Sequence, residues 1–129
     1  MSSQGEIPIS MELIGFGTLE GLIIRYLGPI SADAILDKMP FVLRCRFSFG
    51  AKDYWIMMNV GIRKGPDSKA TTNVEKGDIV YNPKTDEIHL IIEGREMPNK
   101  INKIGKVTKN LDLLQGARNG LNCKLSKLN

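Results

Sequence analysis

A chain of 129 residues, 42% hydrophobic and 25% charged, suits one globular domain long enough to close a real core. No apolar run approaches the ~20 residues of a membrane-spanning helix, and one histidine with two distant cysteines leaves a zinc site almost no ligands. The net charge of +4 is uneven: from Arg95 onward eight Lys and Arg stand against two Asp and Glu, while residues 1–94 hold ten against twelve.

Residues 1–6 read as a flexible terminus and 7–129 as a single domain. MSSQGEIP lacks a basic region followed by an apolar core, so the expected location is the cytoplasm. Ile7, Ile9, Met11 and Leu13 alternate with Pro8, Ser10 and Glu12, which predicts a half-buried strand with the proline at its start. Gly15 to Gly17 turn the chain, and Thr18 to Leu27 returns as the second arm of a hairpin. Pro29-Ile30-Ser31 then opens a helix with Ser31 as the expected N-cap, Ile30 and Ile35 as a hydrophobic staple, and Pro40 as its end.

Phe41 to Phe49 alternates most regularly: Phe41, Leu43, Cys45, Phe47 and Phe49 face one way, and Val42, Arg44, Arg46 and Ser48 the other. Asp53 to Ile62 is nearly continuous in apolar residues and reads as a strand buried on both faces. Arg63 to Asn73 is polar with Gly and Pro, a loop. From Val74 to Gly94 two strands flank a turn at Asn82–Asp86; Ile88, Leu90 and Ile92 alternate with His89 and Ile91, leaving the second face for solvent or a pocket. Arg95 to Lys100 reads as a loop, Ile101 to Val107 as a strand, Leu111 to Gly116 as a short helix, and Leu121 to Ser126 as a last strand. Cys45 and Cys123 fall on apolar strand faces and are expected to be buried free thiols. Many short strands with turn signals predict an all-β closed antiparallel barrel of about eight strands with one or two short helices.

Three segments carry a family resemblance: GPISADAILDKMPF over 28–41, VEKGDIVYNPKTDEIHLIIEG over 74–94, and Ile104-Gly105-Lys106-Val107 leading into Leu111. In this order they resemble the cyclophilin-like barrel family of small prokaryotic proteins, and the resemblance spans most of Ile7 to Leu125. It implies an eight-stranded cyclophilin-like barrel. Two departures stand out. Asn82 follows Tyr81 where the family often has Trp, and the strand Arg44-Cys45-Arg46-Phe47-Ser48 lacks the Phe-His-Arg of true cyclophilins.

The candidate ligand-binding residues are Arg44, Arg46, Tyr81, Asn82 and His89. Arg44 and Arg46 share a face that either lines a cleft, where guanidinium forks hold a carboxylate or peptide carbonyls, or stands in water. Tyr81 and Asn82 either present a hydroxyl and an amide at a pocket rim or begin an ordinary Asn-Pro turn. His89 is either a general base or a pocket hydrogen-bond donor, or else structural or simply exposed. No metal site and no cofactor are expected. The leading expectation is a protein that binds a peptide or small ligand in a cleft of the barrel. A divergent peptidyl-prolyl isomerase using Arg46 is the alternative, and a nucleic-acid or assembly module acting through the basic C-terminal segment is the second.

Overall fold

The computed structural model describes residues 5–48, 50 and 52–128. Among these residues nine strands form: β1 (Glu6–Leu13), β2 (Gly17–Ile24), β3 (Phe41–Phe47), β4 (Tyr54–Met57), β5 (Thr71–Val74), β6 (Asp78–Asn82), β7 (Glu87–Ile91), β8 (Arg95–Lys109) and β9 (Asn122–Lys127). One helix, α1 (Pro29–Lys38), and two 3-10 turns, Arg25–Leu27 and Leu111–Gly116, complete the elements. Eight strands close a ring in the order β2-β1-β9-β3-β4-β7-β6-β8, and β8 pairs back onto β2. The pairings are antiparallel throughout, so the fold is a closed eight-stranded antiparallel barrel, as the strand pattern predicts. Closure leaves the ring without a free edge.

The alternating residues of the sequence fill the barrel. Ile9, Met11, Leu13, Leu43, Cys45, Phe47, Trp55, Met57, Ile79, Tyr81, Ile88 and Leu90 are buried in one cluster with Cys123 and Leu125. Phe47 and Trp55 meet edge to face at 4.8 Å. Both cysteines are buried free thiols. At the β2–β8 seam the Gly105 backbone lies so close to the Leu22 carbonyl that a Cβ there would overlap it.

A second, smaller core lies outside the ring. β8 outruns its barrel partners, and its first half pairs with β5, Arg95 opposite Val74 and Ile101 opposite Thr71. This two-stranded extension buries Val74, Met97 and Ile101 against Val80 and Ile91, with Tyr54 at the margin. It therefore covers part of the outer face of β4, β7 and β6, which an isolated hairpin would show to water.

Several expectations are corrected. Asp53–Ile62 is a strand only over Tyr54–Met57, because Asn59, Gly61 and Arg63 take positive φ values of 59°, 85° and 48° that no strand sustains. The expected 63–73 loop ends early, in β5, and the expected 95–100 loop is the start of β8. Ser31 is not the N-cap: the helix starts at Pro29 after Gly28, since proline presets the first helical φ. Ser31 instead lies buried and accepts a 2.9 Å hydrogen bond from Asn102 Nδ2. Ile30 is 63% exposed and staples nothing. Residues 1–4 of the expected loose terminus lie outside the described residues, as does Phe49; β1 begins at Glu6. Among the described residues no helix is long and apolar enough to cross a membrane.

Candidate functional site

Strand register brings separate parts of the sequence together on the outer wall. Arg46 pairs with Ile56, Ile56 with His89, and His89 with Val80, so one row crosses β3, β4, β7 and β6. Asn82 and Glu87 face each other in the next row toward the turn. Within the β5–β8 extension, at its register shift, Pro98 and Asn99 reach the same cleft. The result is a cleft of about 280 Å³ lined by Arg46, Ile56, Asn82, Glu87, His89 and Pro98, with Ser48, Tyr54, Lys84, Thr85 and Asn99 around them.

Glu87 and His89 form the centre of the cleft. Their two-residue spacing on β7 points both side chains outward, and His89 Nε2 lies 2.9 Å from Glu87 Oε1. Burial alone would raise the Glu87 carboxyl, but hydrogen bonds from His89 and Thr85 and the Arg46 charge hold it below the usual carboxylate range. An ionised carboxylate only accepts, so Nε2 is the nitrogen that donates. In the neutral ring Nδ1 then carries the lone pair. That atom is buried and has no hydrogen-bond partner among the described residues. The ring packs against Tyr54 at 4.7 Å, and Arg95 lies 5.5 Å from the Tyr54 ring while pairing with Asp53 at 3.0 Å.

Arg46 is half-buried, and its Nη1 donates to the Phe47 carbonyl at 3.0 Å. Asn82 is buried; its Oδ1 accepts from Lys84 N at 3.0 Å and from Asn99 Nδ2 at 2.8 Å. This ties the β6–β7 turn to the extension.

Of the five sequence candidates, the structure brings Arg46, Asn82 and His89 to one cleft. Arg44 shares the outer face of β3 but is exposed and does not line it. Tyr81 points into the barrel, where its hydroxyl donates to Asp86 Oδ1 at 2.6 Å and accepts from Lys64 N at 3.3 Å. Asp86 also accepts from Gly61 N at 2.7 Å and Arg63 N at 3.1 Å, so this pair anchors the loop after β4. Glu87 was not among the candidates, although its place two residues before His89 on a strand is a signal for it. Tyr54, Pro98 and Asn99 give no such signal, because they reach the cleft only through pairing distant in sequence. Among the described residues no group of three or more His, Cys, Asp or Glu could hold a metal ion.

No family model matches the chain, and comparison with curated proteins returns no relative. Solved structures do share the fold. The hypothetical protein AF2241 from Archaeoglobus fulgidus matches with a TM-score of 0.78 at 18% identity, over 99% of this chain and 100% of that one. McbB, solved in complex with tryptophan, matches with a TM-score of 0.75 at 11% identity, over 92% of this chain. The match spans 44% of McbB, so this chain corresponds to under half of that protein. These likenesses establish a shared barrel fold.

Proposed function

We propose that the chain is a binding protein, a single barrel domain over residues 7–129, that takes a peptide segment or small ligand in the outer cleft. The observation that carries this reading is His89, which lines that cleft and whose Nδ1 is buried beneath it with no partner among the described residues. A buried polar atom without a partner costs about 1–3 kcal/mol, which a ligand N–H or O–H would recover. Beside His89 the Arg46 charge is offset by Glu87, with Lys84 at the rim toward the β6–β7 turn, so the head group that suits this end of the cleft is polar and uncharged, with a donor for His89 and an acceptor for Arg46. Peptide amides and heterocyclic N–H groups both meet that description. The apolar sides of Tyr54, Ile56 and Pro98 suit a flat group.

The isomerase reading draws less support. Arg46 already donates to the Phe47 carbonyl and stands within the field of Glu87, which offsets charge directed at a proline nitrogen. The basic-segment reading draws less still: β8 and β9 are separated in the ring by β2 and β1, so the lysines contiguous in sequence do not form one strip.

The test is a thermal-unfolding screen with L-tryptophan, the other amino acids, and short peptides with and without proline. A ligand at 100 times its Kd adds about 2.7 kcal/mol of stability, a readily seen rise in Tm. Arg46→Ala and His89→Phe, checked for folding, should abolish the rise. A ligand whose effect survives both substitutions would refute the assignment.

A further inference from the structure

The cleft does not end at Asn82. A second hollow of about 290 Å³, lined by Pro66, Pro83, Lys84, Asn99 and Lys100, adjoins it. The two share Lys84 and Asn99. Between them lies a saddle of side-chain amides: Asn99 Nδ2 donates to Asn82 Oδ1 at 2.8 Å and to the Lys100 carbonyl at 3.0 Å. Each hollow alone sits near the lower limit of ligand sites, about 300 Å³, and together they fall within the usual range.

Charge divides the two compartments. In the first, Arg46 stands against an ionised Glu87, and Lys84 lies on the rim that both compartments share. The second holds Lys84 and Lys100 and has no acidic lining residue. Both lysines are exposed, so their charges meet solvent and whatever enters from it. Its remaining walls include two proline rings, which carry no N–H and supply contact surface without competing donors. The adjoining turn is fixed, since Lys84 N donates to Asn82 Oδ1 at 3.0 Å.

Resting on the cleft reading above, we infer that the ligand is an elongated anion. Its uncharged, donor-bearing head sits at His89 and its phosphate or carboxylate end lies across the Asn82–Asn99 saddle between Lys84 and Lys100. This goes beyond head-group binding, because it fixes the sign and the position of the ligand's far end.

The experiment uses matched probes that differ only in the anionic end: uridine with uridine 5′-monophosphate, and N-acetyl-glycyl-glutamine amide with N-acetyl-glycyl-glutamate amide, whose one carboxylate is its side chain. Affinities are measured by calorimetry at low and physiological salt on the full chain and on Lys84→Gln/Lys100→Gln. Two exposed ion pairs predict tighter binding of the anionic member by roughly 2- to 30-fold at low salt, fading as salt rises. The double variant should erase that preference, and Lys100→Gln alone, measured alongside it at a residue that lines only the second hollow, should weaken the preference and leave the neutral member's affinity unchanged. Whichever pair shows the effect identifies phosphate or carboxylate as the end group. Neutral members that bind as tightly as their anionic partners would overturn this inference while sparing the cleft. A preference that persists in the double variant would do the same. Failure of every probe to bind would overturn both.

Discussion

Asp86→Asn tests how the loop beside the cleft is held. The carboxylate accepts from the Tyr81 hydroxyl at 2.6 Å, Gly61 N at 2.7 Å and Arg63 N at 3.1 Å, while its own residue adopts φ +56°. Asparagine tolerates that backbone region and keeps the side-chain shape, so the substitution removes the charge and turns one of the two accepting oxygens, Oδ2 facing the exposed Gly61 N, into an NH2 that cannot accept. A hydrogen bond to a charged group contributes about 1.5–3 kcal/mol, against about 0.5–1.5 kcal/mol for a neutral one. Gly61 and Arg63 are exposed and count at the low end, whereas Tyr81 is fully buried and counts in full. The expected loss at neutral pH is about 2 kcal/mol. Burial would raise the Asp86 carboxyl, but the hydrogen bonds from Tyr81, Arg63 and Gly61 and the Arg63 charge outweigh it and hold it below its ordinary value. Its stabilisation is therefore present above the unfolded carboxyl value of about 3.9 and is lost as pH falls through the lower folded value. Urea unfolding of both proteins from pH 7 to pH 2 should show a gap that closes across that acidic window. A gap that is absent at pH 7, or that does not change with pH, would refute the reasoning.

Three further outcomes follow from the packing. Gly105→Ala places a methyl group against the Leu22 carbonyl at the β2–β8 seam, and overpacking of this kind costs about 1–3 kcal/mol or more, read as a lower urea midpoint. Burial, then the hydrogen bond to Asp86, pushes the Tyr81 hydroxyl up to about 12. Its contribution to stability is complete below pH ~10 and lost as pH rises toward 12, so tyrosinate absorbance should show Tyr81 ionising in a late step together with unfolding. The Cys123 thiol is pushed far up by its hydrogen bond to Cys45 and by burial, so neither buried cysteine should react with a thiol reagent until the chain unfolds in denaturant.

Much of the barrel was legible because strand alternation is a local signal. β1, β3 and β9 each alternate between core and solvent where the sequence does. The elements missed are those whose reason lies elsewhere. Arg95–Lys100 carries Pro98 and four charged or polar neighbours, yet it is a strand because β5 pairs with it and Met97 reaches the outer core. Asn59–Ile62 is largely apolar and leaves the sheet because Asp86, from a different turn, captures Val60 N with its carbonyl and Gly61 N with its carboxylate. The same contrast governs the cleft. Arg46, Asn82 and His89 are readable as outward-facing residues, while their meeting depends on register across four strands. Tyr81 belongs with Ile79 on the inward face by the same alternation, so its hydroxyl serves Asp86 and not the cleft.

The chain contains one histidine, so its imidazole nitrogens can be followed without assignment ambiguity. The most direct measurement is a long-range proton–nitrogen spectrum of His89 with and without a ligand found in the screen. The ring should be protonated at Nε2 in the free protein, and Nδ1 should shift markedly when the ligand donates to it. A ring protonated at Nδ1, or an Nδ1 signal that stays fixed while the ligand saturates, would contradict the claim that this cleft is the binding site.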